Sequence, residues 1–420
     1  MSVTGIITEY NPFHNGHLYH LKKTKEVTDS QPVIAVMSGN FTQRGQAACF
    51  DKWSRAKMAC LAGVDLVLEL PLASAIRSAE HFAQGAIKTL AATGVVSDIV
   101  FGSEAGELAF LKKIAKLLAR EPEKYKELLH LYLKKGYSYP KAHSQALSKY
   151  FTKEEELLNT IMSPNNILGI EYLKAIYKDN LDITAHTIPR KEANYHDRFP
   201  GNGKIASATA IRKILYQYNN SKKMPLKAKK YLPDFSWEII VQQIKQGQGP
   251  ARLRLFQDLL TFTVSRATRQ ELNPPAFNDD LVNSLLKARQ QKQSFTNIIN
   301  CLTSPSYPRN RISRGLVQLL CRLTQKRQQS ISINFPSYLR VLALGRQGEE
   351  LLSRLSEKAE LPLIVKPSDY LSQPDLTTDN PLKLHLSLEL IATDIYNNLR
   401  PDKKTRKNGE DFTRRLITIN

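Results

Sequence analysis

Cysteine is scarce in this chain, and its placement excludes two kinds of protein. The four cysteines, Cys49, Cys60, Cys301 and Cys321, form no close pair at metal-ligand spacing and suggest no disulfide framework. A reducing cytoplasm is the expected compartment. Long apolar runs are missing too. Mean hydropathy is −0.36, and no stretch approaches the roughly 18 uninterrupted apolar residues of a membrane span. No basic segment with an apolar core and cleavage site precedes the first motif, so no secretory leader is expected. Internal repeats and low-complexity tracts are lacking as well. What remains is a chain of 420 residues, 42% hydrophobic, long enough for a large core and two or three domains.

Acidic residues are outnumbered, 39 Asp and Glu against 60 Lys and Arg, for a net charge of +21. Residues 1–200 hold 25 basic and 21 acidic side chains, a net of +4; residues 201–420 hold 35 and 18, a net of +17. A basic half beside a near-neutral half is the electrostatic footprint of a polyanion partner such as nucleic acid. No basic amphipathic helix with a rich aromatic face points to a membrane surface.

The N-terminal half alternates between strand and helix periods. Strands are expected at Val3–Thr8, Pro32–Met37, Leu66–Leu70, Asp98–Phe101 and Ile183–Ile188. Helices are expected at Gly16–Glu26, Asp51–Leu61 with Gly63 as C-cap, Ile76–Ala92, from Ser163 to Lys178, and Thr209–Tyr218. Such alternation predicts an α/β fold with a parallel sheet covered on both faces, and ligands at the carboxyl ends of its strands. Glu107–Ala119 and Pro122–Leu133 read as a helical insertion at about 105–160. The polar stretch 219–225, ending in Pro225, marks an expected boundary between residues 1–220 and residues 221–420. The second part reads as mostly helical, with a small α/β piece around Arg340–Leu344 and Leu363–Val365.

Two motifs carry chemistry. Thr8-Glu9-Tyr10-Asn11-Pro12-Phe13-His14-Asn15-Gly16-His17 follows the first strand and opens a helix. Gly16 allows close backbone approach, and the helix start offers N–H groups to phosphate oxygens. His14 and His17, three apart, share one side of the first turn. There they can donate to a triphosphate and stabilise charge on departing pyrophosphate. The same pair also fits a metal site, although no third ligand is evident, or ordinary helix-capping histidines. The second motif, Lys204 to Arg212, places Ser207 and Thr209 at a helix start with Arg212 aimed at the same anion. On its own it equally fits a capped helix with a surface arginine.

Together these residues resemble the HxGH nucleotidyltransferase superfamily. Further segments are similar to the bacterial tRNA(Met) cytidine acetate ligase family: Ser38–Gly45, Asp51–Ala56, Glu69-Leu70-Pro71, Phe101–Glu104 and Ser163–Gly169. So are Arg340–Gly345, Ala392–Tyr396 and Asp411-Phe412-Thr413 in the C-terminal half. The resemblance spans most of the chain. It implies a Rossmann-like nucleotidyltransferase domain that uses ATP, with Mg2+, to turn acetate into acetyl-adenylate. The acetyl group then passes to N4 of the wobble cytidine of elongator tRNA(Met). The resemblance also implies an ATP site of Ile7, Thr8, Glu9, Tyr10, Asn11, Pro12, Phe13, His14, Asn15, Gly16, His17, Leu18, Tyr19 and His20, with Gly102, Asn165 or Asn166, and Arg190. Lys191 adjoins Arg190 and fits the same role. No Asp pair stands out as a dedicated metal ligand, so magnesium is expected to be held by ATP itself.

The RNA surface is expected in the basic half, at Arg252 and Arg254, Lys287, Arg289 and Lys292, Arg309, Arg311 and Arg314, and Lys326 with Arg327. Tyr307 is placed to stack on a base. Two competing readings are an adenylyltransferase acting on a small phosphate ester, and a non-catalytic RNA-binding protein. The first does not need a basic C-terminal half. The second conflicts with the intact His14, Gly16, His17, Ser207, Thr209 and Arg212.

Overall fold

The computed structural model describes residues 2–29, 32–104, 106–137, 139–151, 163–189, 203–291, 294–332 and 335–419. Its main sheet runs in the order β10-β8-β5-β2-β1-β6-β7, with β9 paired to β8. The strands are β1 (Thr4–Thr8), β2 (Val33–Ser38), β5 (Leu66–Leu70), β6 (Asp98–Ser103), β7 (Thr184–Pro189), β8 (Leu339–Leu344), β9 (Leu363–Ile364) and β10 (Ile417–Thr418). A separate two-stranded hairpin joins β3 (Phe41–Thr42) to β4 (Gln46–Ala47). From β5 to β7 all pairings are parallel. The chain winds outward from β1 in both directions, so the strand order reverses between β1 and β6. That is the point where open α/β sheets hold their ligands.

Alternation along β2 shows why the sheet forms. Ile34 and Val36 enter one core, whereas Val33, Ala35 and Met37 enter the other. Both faces are dry, as a parallel sheet covered by helices requires. Five expected strands and their helices appear within a few residues of their predicted ends. Gly63 caps helix Lys52–Ala62 in the left-handed conformation, and its N–H bonds back to Ala59 and Cys60. The helix expected over Ile76–Ala92 runs unbroken over Ala79–Ala91, capped by Ser78, and a separate short helix at Leu72–Ala75, not expected from the sequence, precedes it. Among the described residues the insertion contains three helices, Leu108–Arg120, Glu123–Lys134 and Tyr139–Tyr150, the last not among the expected ones.

The C-terminal α/β piece does not stand apart from the first sheet. β8 pairs with β5, antiparallel, and carries β9 and β10 with it. The sheet is therefore mixed at this edge and crosses the boundary expected near residue 220. Strand pairing over some 270 residues of chain leaves no local trace in sequence. The intervening helices, among them Leu253–Arg266, Asp279–Gln290, Phe295–Leu302, Arg309–Leu320 and Gln325–Ser332, enclose their own core. Phe41, Ala47, Leu72 and Ile76 from the first half belong to that core as well. The β3–β4 hairpin thus stands between the two halves.

Candidate active site

β1 ends at Thr8 and the chain turns through Tyr10, which adopts a left-handed backbone (φ 45°). Such a conformation costs a non-glycine residue about 1–2 kcal/mol. Tyr10 is held there by burial, with its ring 4.7 Å from Phe13 and 5.0 Å from His17. Helix Asn15–Thr28 follows, with His14 as its N-cap. The Gly16 N–H donates to His14 Nδ1 at 3.0 Å, and the His14 N–H donates to His17 Nδ1 at 3.3 Å. This is a capping box built from two histidines. Because each Nδ1 accepts, the neutral rings carry their protons on Nε2. The rings stack with centroids 3.8 Å apart. Gly16 is required: a Cβ there would lie 2.9 Å from His14 Cε1. Capping and catalytic readings of the two histidines are therefore compatible, since one nitrogen serves the helix and the other points its proton elsewhere.

The second motif locks onto the first. Ser207 caps helix Ala208–Ser221 by accepting from the Ala210 N–H. Arg212 donates through Nη1 to the Asn11 carbonyl at 2.9 Å and through Nη2 to Thr209 Oγ1 at 3.1 Å. Asn15 Nδ2 reaches the Lys204 carbonyl at 2.9 Å. The starts of two helices are thus tied together, and each helix start carries partial positive charge.

Both motifs line one cavity of about 280 Å³ at the ends of β1, β6 and β7. Its described basic lining is Arg44, Arg212, His14, His17 and His20, against Glu9 as the one described acid. Phe82, Phe101, Leu168, Tyr172 and Ile188 form an apolar wall beside Gly102. Such a lining suits an anion attached to a flat apolar ring. Glu9 accepts from the Gln43 N–H at 2.7 Å, which ties the β3–β4 hairpin to the loop after β1. Arg55 is wholly buried and spends its guanidinium on the carbonyls of Phe50, Glu9, Ser38 and Gly39. It clamps the ends of β1 and β2 together. Burial pushes the Cys49 and Cys60 thiols up to about 12, so neither supplies a thiolate.

Of the residues expected to bind ATP, Ile7, Thr8, Glu9, Tyr10, Asn11, His14, Gly16, His17, Tyr19, His20, Gly102, Asn165, Ser207, Thr209 and Arg212 line this cavity. Pro12, Phe13, Asn15 and Leu18 do not. Phe13 is core, and Asn15 ties the Lys204 and Lys230 carbonyls. The choice between the two asparagines is structural. Asn165 lines the cavity, whereas Asn166 is buried and accepts from the Glu104 N–H at 2.9 Å. Arg190, Lys191 and Lys292 lie outside the described residues. Sequence reasoning missed the hairpin residues Thr42, Gln43, Arg44 and Gln46, although Ser38–Gly45 carries part of the resemblance. It also missed the apolar wall, because apolar residues of helices and strands, such as Phe82, Leu168 and Phe101, read as core.

The basic candidates are distributed over several helices. Arg254 is exposed and Arg252 precedes the same helix, half-buried. Arg309 is exposed and donates to Asn300 at 3.0 Å. Arg311 donates to the Ala276 carbonyl and lies over the Tyr307 ring at 5.1 Å. Tyr307 receives a bond from Asn278 at 2.9 Å. Arg289 donates to the Ala267 carbonyl, and Lys287 is exposed. Lys326 and Arg327 line a separate cleft of about 480 Å³ in the helical half. That cleft touches no strand end and neither motif.

The HIGH Nucleotidyl Transferase family model matches residues 1–411. Two relatives named tRNA(Met) cytidine acetate ligase, from Halothermothrix orenii and Acetivibrio thermocellus, are each 38% identical. The first match covers 98% of both chains and the second covers 100% of both. Crystal structures of Thermotoga maritima TmcAL superpose along 100% of both chains. The apo form gives a TM-score of 0.92 at 36% identity, and the form bound with alpha-thio ATP gives 0.91 at 34%. Paired helix starts, a histidine capping box and full-length similarity agree: this chain is an enzyme of the HIGH nucleotidyl transferase family, in its tRNA(Met) cytidine acetate ligase branch.

Proposed function

We propose that this enzyme activates acetate with ATP and transfers the acetyl group to N4 of the wobble cytidine of elongator tRNA(Met), forming N4-acetylcytidine. The observation that carries this reading is the bonding of the two motifs through Arg212 inside one anion-ready cavity. Names of full-length relatives supply the acyl donor and the acceptor.

In the first step an acetate oxygen attacks the α-phosphorus and the bond to pyrophosphate breaks. His14 and His17 donate from Nε2 to phosphate oxygens whose charge rises, and Arg212 with the Ser207 turn holds the chain of phosphates in line. In the second step the N4 amine attacks the acetyl carbonyl, AMP departs, and N4 loses a proton. An anticodon loop presents its base already unpaired, which lowers the cost of reaching the cavity. Among the described residues no group of three or more His, Cys, Asp or Glu side chains is placed to hold a metal. Magnesium would be held by the phosphates of ATP, where it would neutralise charge.

The ATP site comprises the lining residues of the two motifs with Gly102 and Asn165, joined by Arg190 and Lys191. Residues 221–420 supply most of the RNA surface, through Arg252, Arg254, Arg309, Arg311, Arg314, Lys326 and Arg327. The working compartment is the cytoplasm, where tRNA is found; no described helix is long and apolar enough to cross a membrane.

The test uses purified protein, ATP, magnesium, labelled acetate and unmodified bacterial tRNA. ATP-dependent label in N4-acetylcytidine is the expected result. Acetate-dependent pyrophosphate release without labelled RNA would keep the adenylation and refute the acceptor. Neither product would refute the reading and favour an adenylyltransferase of small phosphate esters.

A further inference from the structure

Three arginines, Arg77, Arg311 and Arg314, are brought near one another where the β3–β4 hairpin, the start of helix Ala79–Ala91 and helix Arg309–Leu320 come together. The backbone fixes the meeting. Gly45, at the hairpin tip with φ 70°, lies so close to the long helix that a Cβ would sit 2.4 Å from the Arg314 nitrogen. One turn beyond Arg314, Gln318 is fully buried and donates to the Ile76 carbonyl at 2.8 Å. Its amide oxygen accepts from the Ala276 N–H, and Arg311 donates to the Ala276 carbonyl. Arg311, Arg314 and Gln318 therefore share one helix face, and that face is pinned next to Arg77, the neighbour of Ile76.

No described carboxylate pairs with Arg77 or Arg314. The acid nearest in sequence, Glu80, is taken by Lys174 at 2.8 Å. Arg77 Nη1 is buried without a hydrogen-bond partner. Burial, with Arg311 and Arg77 alongside, pulls the Arg314 guanidinium down to about 10, where it still keeps its charge at neutral pH. Withdrawing like charges from water without a counter-ion is unfavourable. An arrangement of this kind is relieved by an anion. Phosphate suits it, because guanidinium forks match phosphate oxygens in pairs.

Two sources of phosphate are available, the nucleotide and an RNA strand. None of the three arginines lines the nucleotide cavity, whereas Thr42, Gln43, Arg44 and Gln46 of the intervening hairpin do. The cluster thus lies outside the cavity lining, beside the hairpin that supplies part of it. We propose that Arg77, Arg311 and Arg314 clasp a backbone phosphate of the RNA acceptor, flanking the cytidine whose base enters the cavity. The catalytic half, through Arg77, then contributes to an RNA surface otherwise assigned to the basic half. This inference rests on the reading that the acceptor is RNA.

The test measures affinity of the full chain for a transcribed RNA hairpin with a loop cytidine, across a salt series. Arg77→Gln and Arg314→Gln should each weaken binding roughly fivefold to tenfold at physiological salt and lower the salt slope by about 1. Arg77→Lys should restore the slope but only part of the affinity, because it keeps charge and loses the fork. A neutral methylphosphonate next to the cytidine should weaken binding to the unsubstituted protein. It should cost little further in Arg314→Gln, the non-additivity expected of groups in contact. Methylphosphonates at the cytidine and at distal positions with equal effects on the unsubstituted protein would overturn the clasp, even where glutamine variants fail to fold. Loss of the ATP-induced melting shift with RNA affinity intact would assign the cluster to the nucleotide and also overturn it. An unsubstituted protein with no salt-dependent affinity for the hairpin would instead sink the RNA reading itself.

Discussion

Lys52 and Arg314 are both basic side chains withdrawn from water, in opposite surroundings. Lys52 Nζ lies 2.9 Å from both oxygens of Glu69 and 2.9 Å from Asp411 Oδ2. Asp411 also accepts from Arg340 at 3.2 Å and from Thr393 at 2.6 Å. Neighbouring Glu389 is raised well above its ordinary pKa by burial first and by the Glu69 charge second. The network joins the start of helix Lys52–Ala62 and β5 to residues more than 270 positions after Glu69 in the chain, and it closes upon itself. Arg314 has other arginines for company and no described acid. Charges that find partners within the protein are structural. Charges gathered without them are addressed to a ligand. A net charge of +21 counts both kinds alike.

The largest expected effect is on the closed network. Lys52→Met leaves Glu69 and Asp411 buried without their cation and should cost about 3–5 kcal/mol of stability in denaturant unfolding. A loss no greater than that of a surface substitution would break the contrast. His17→Ala should lower acetate-dependent ATP–pyrophosphate exchange by about 10²–10³-fold, the scale for one lost transition-state donor. RNA affinity should stay nearly intact; exchange preserved with RNA binding lost would reverse the assigned roles.

A smaller effect concerns His385, fully buried with neither ring nitrogen hydrogen-bonded, and held down to about 3 by burial. The unfolded chain protonates this ring near pH 6.5, the folded chain only far below. Below about 6.5 the unfolded state binds more protons, so stability should fall as pH drops toward 3, by about 1 kcal/mol per unit. Melting curves of His385→Leu should lose that part of the acid sensitivity; an unchanged pH profile would remove the histidine from the account. The smallest effect is expected at exposed Arg254. Arg254→Gln should leave stability within about 0.5 kcal/mol and lower the RNA salt slope by about 1. A large loss of stability there would mean that its charge, too, is structural.

Local chemistry was written plainly in the sequence. The strand, the His14-x-Gly16-His17 turn and the helix after it are contiguous, so short-range rules suffice to read them. The same holds for Ser207 capping its helix and for the basic excess after residue 200. Periodicity also announced the parallel core, because strands buried on both faces must be apolar throughout. Three things were decided only by tertiary structure. β8 joined β5 across the expected boundary, since strand pairing is satisfied by any segment that geometry brings alongside. Of two adjacent asparagines, Asn165 faced the cavity and Asn166 the Glu104 backbone, because helix rotation separates neighbours by about 100°. The hairpin at 41–47, with strands of two residues, was too short to show a period, yet it forms a cavity wall and braces Arg314. Sequence fixes what each segment can do alone; which cations are neutralised and which stay available depends on contacts between segments far apart in the chain.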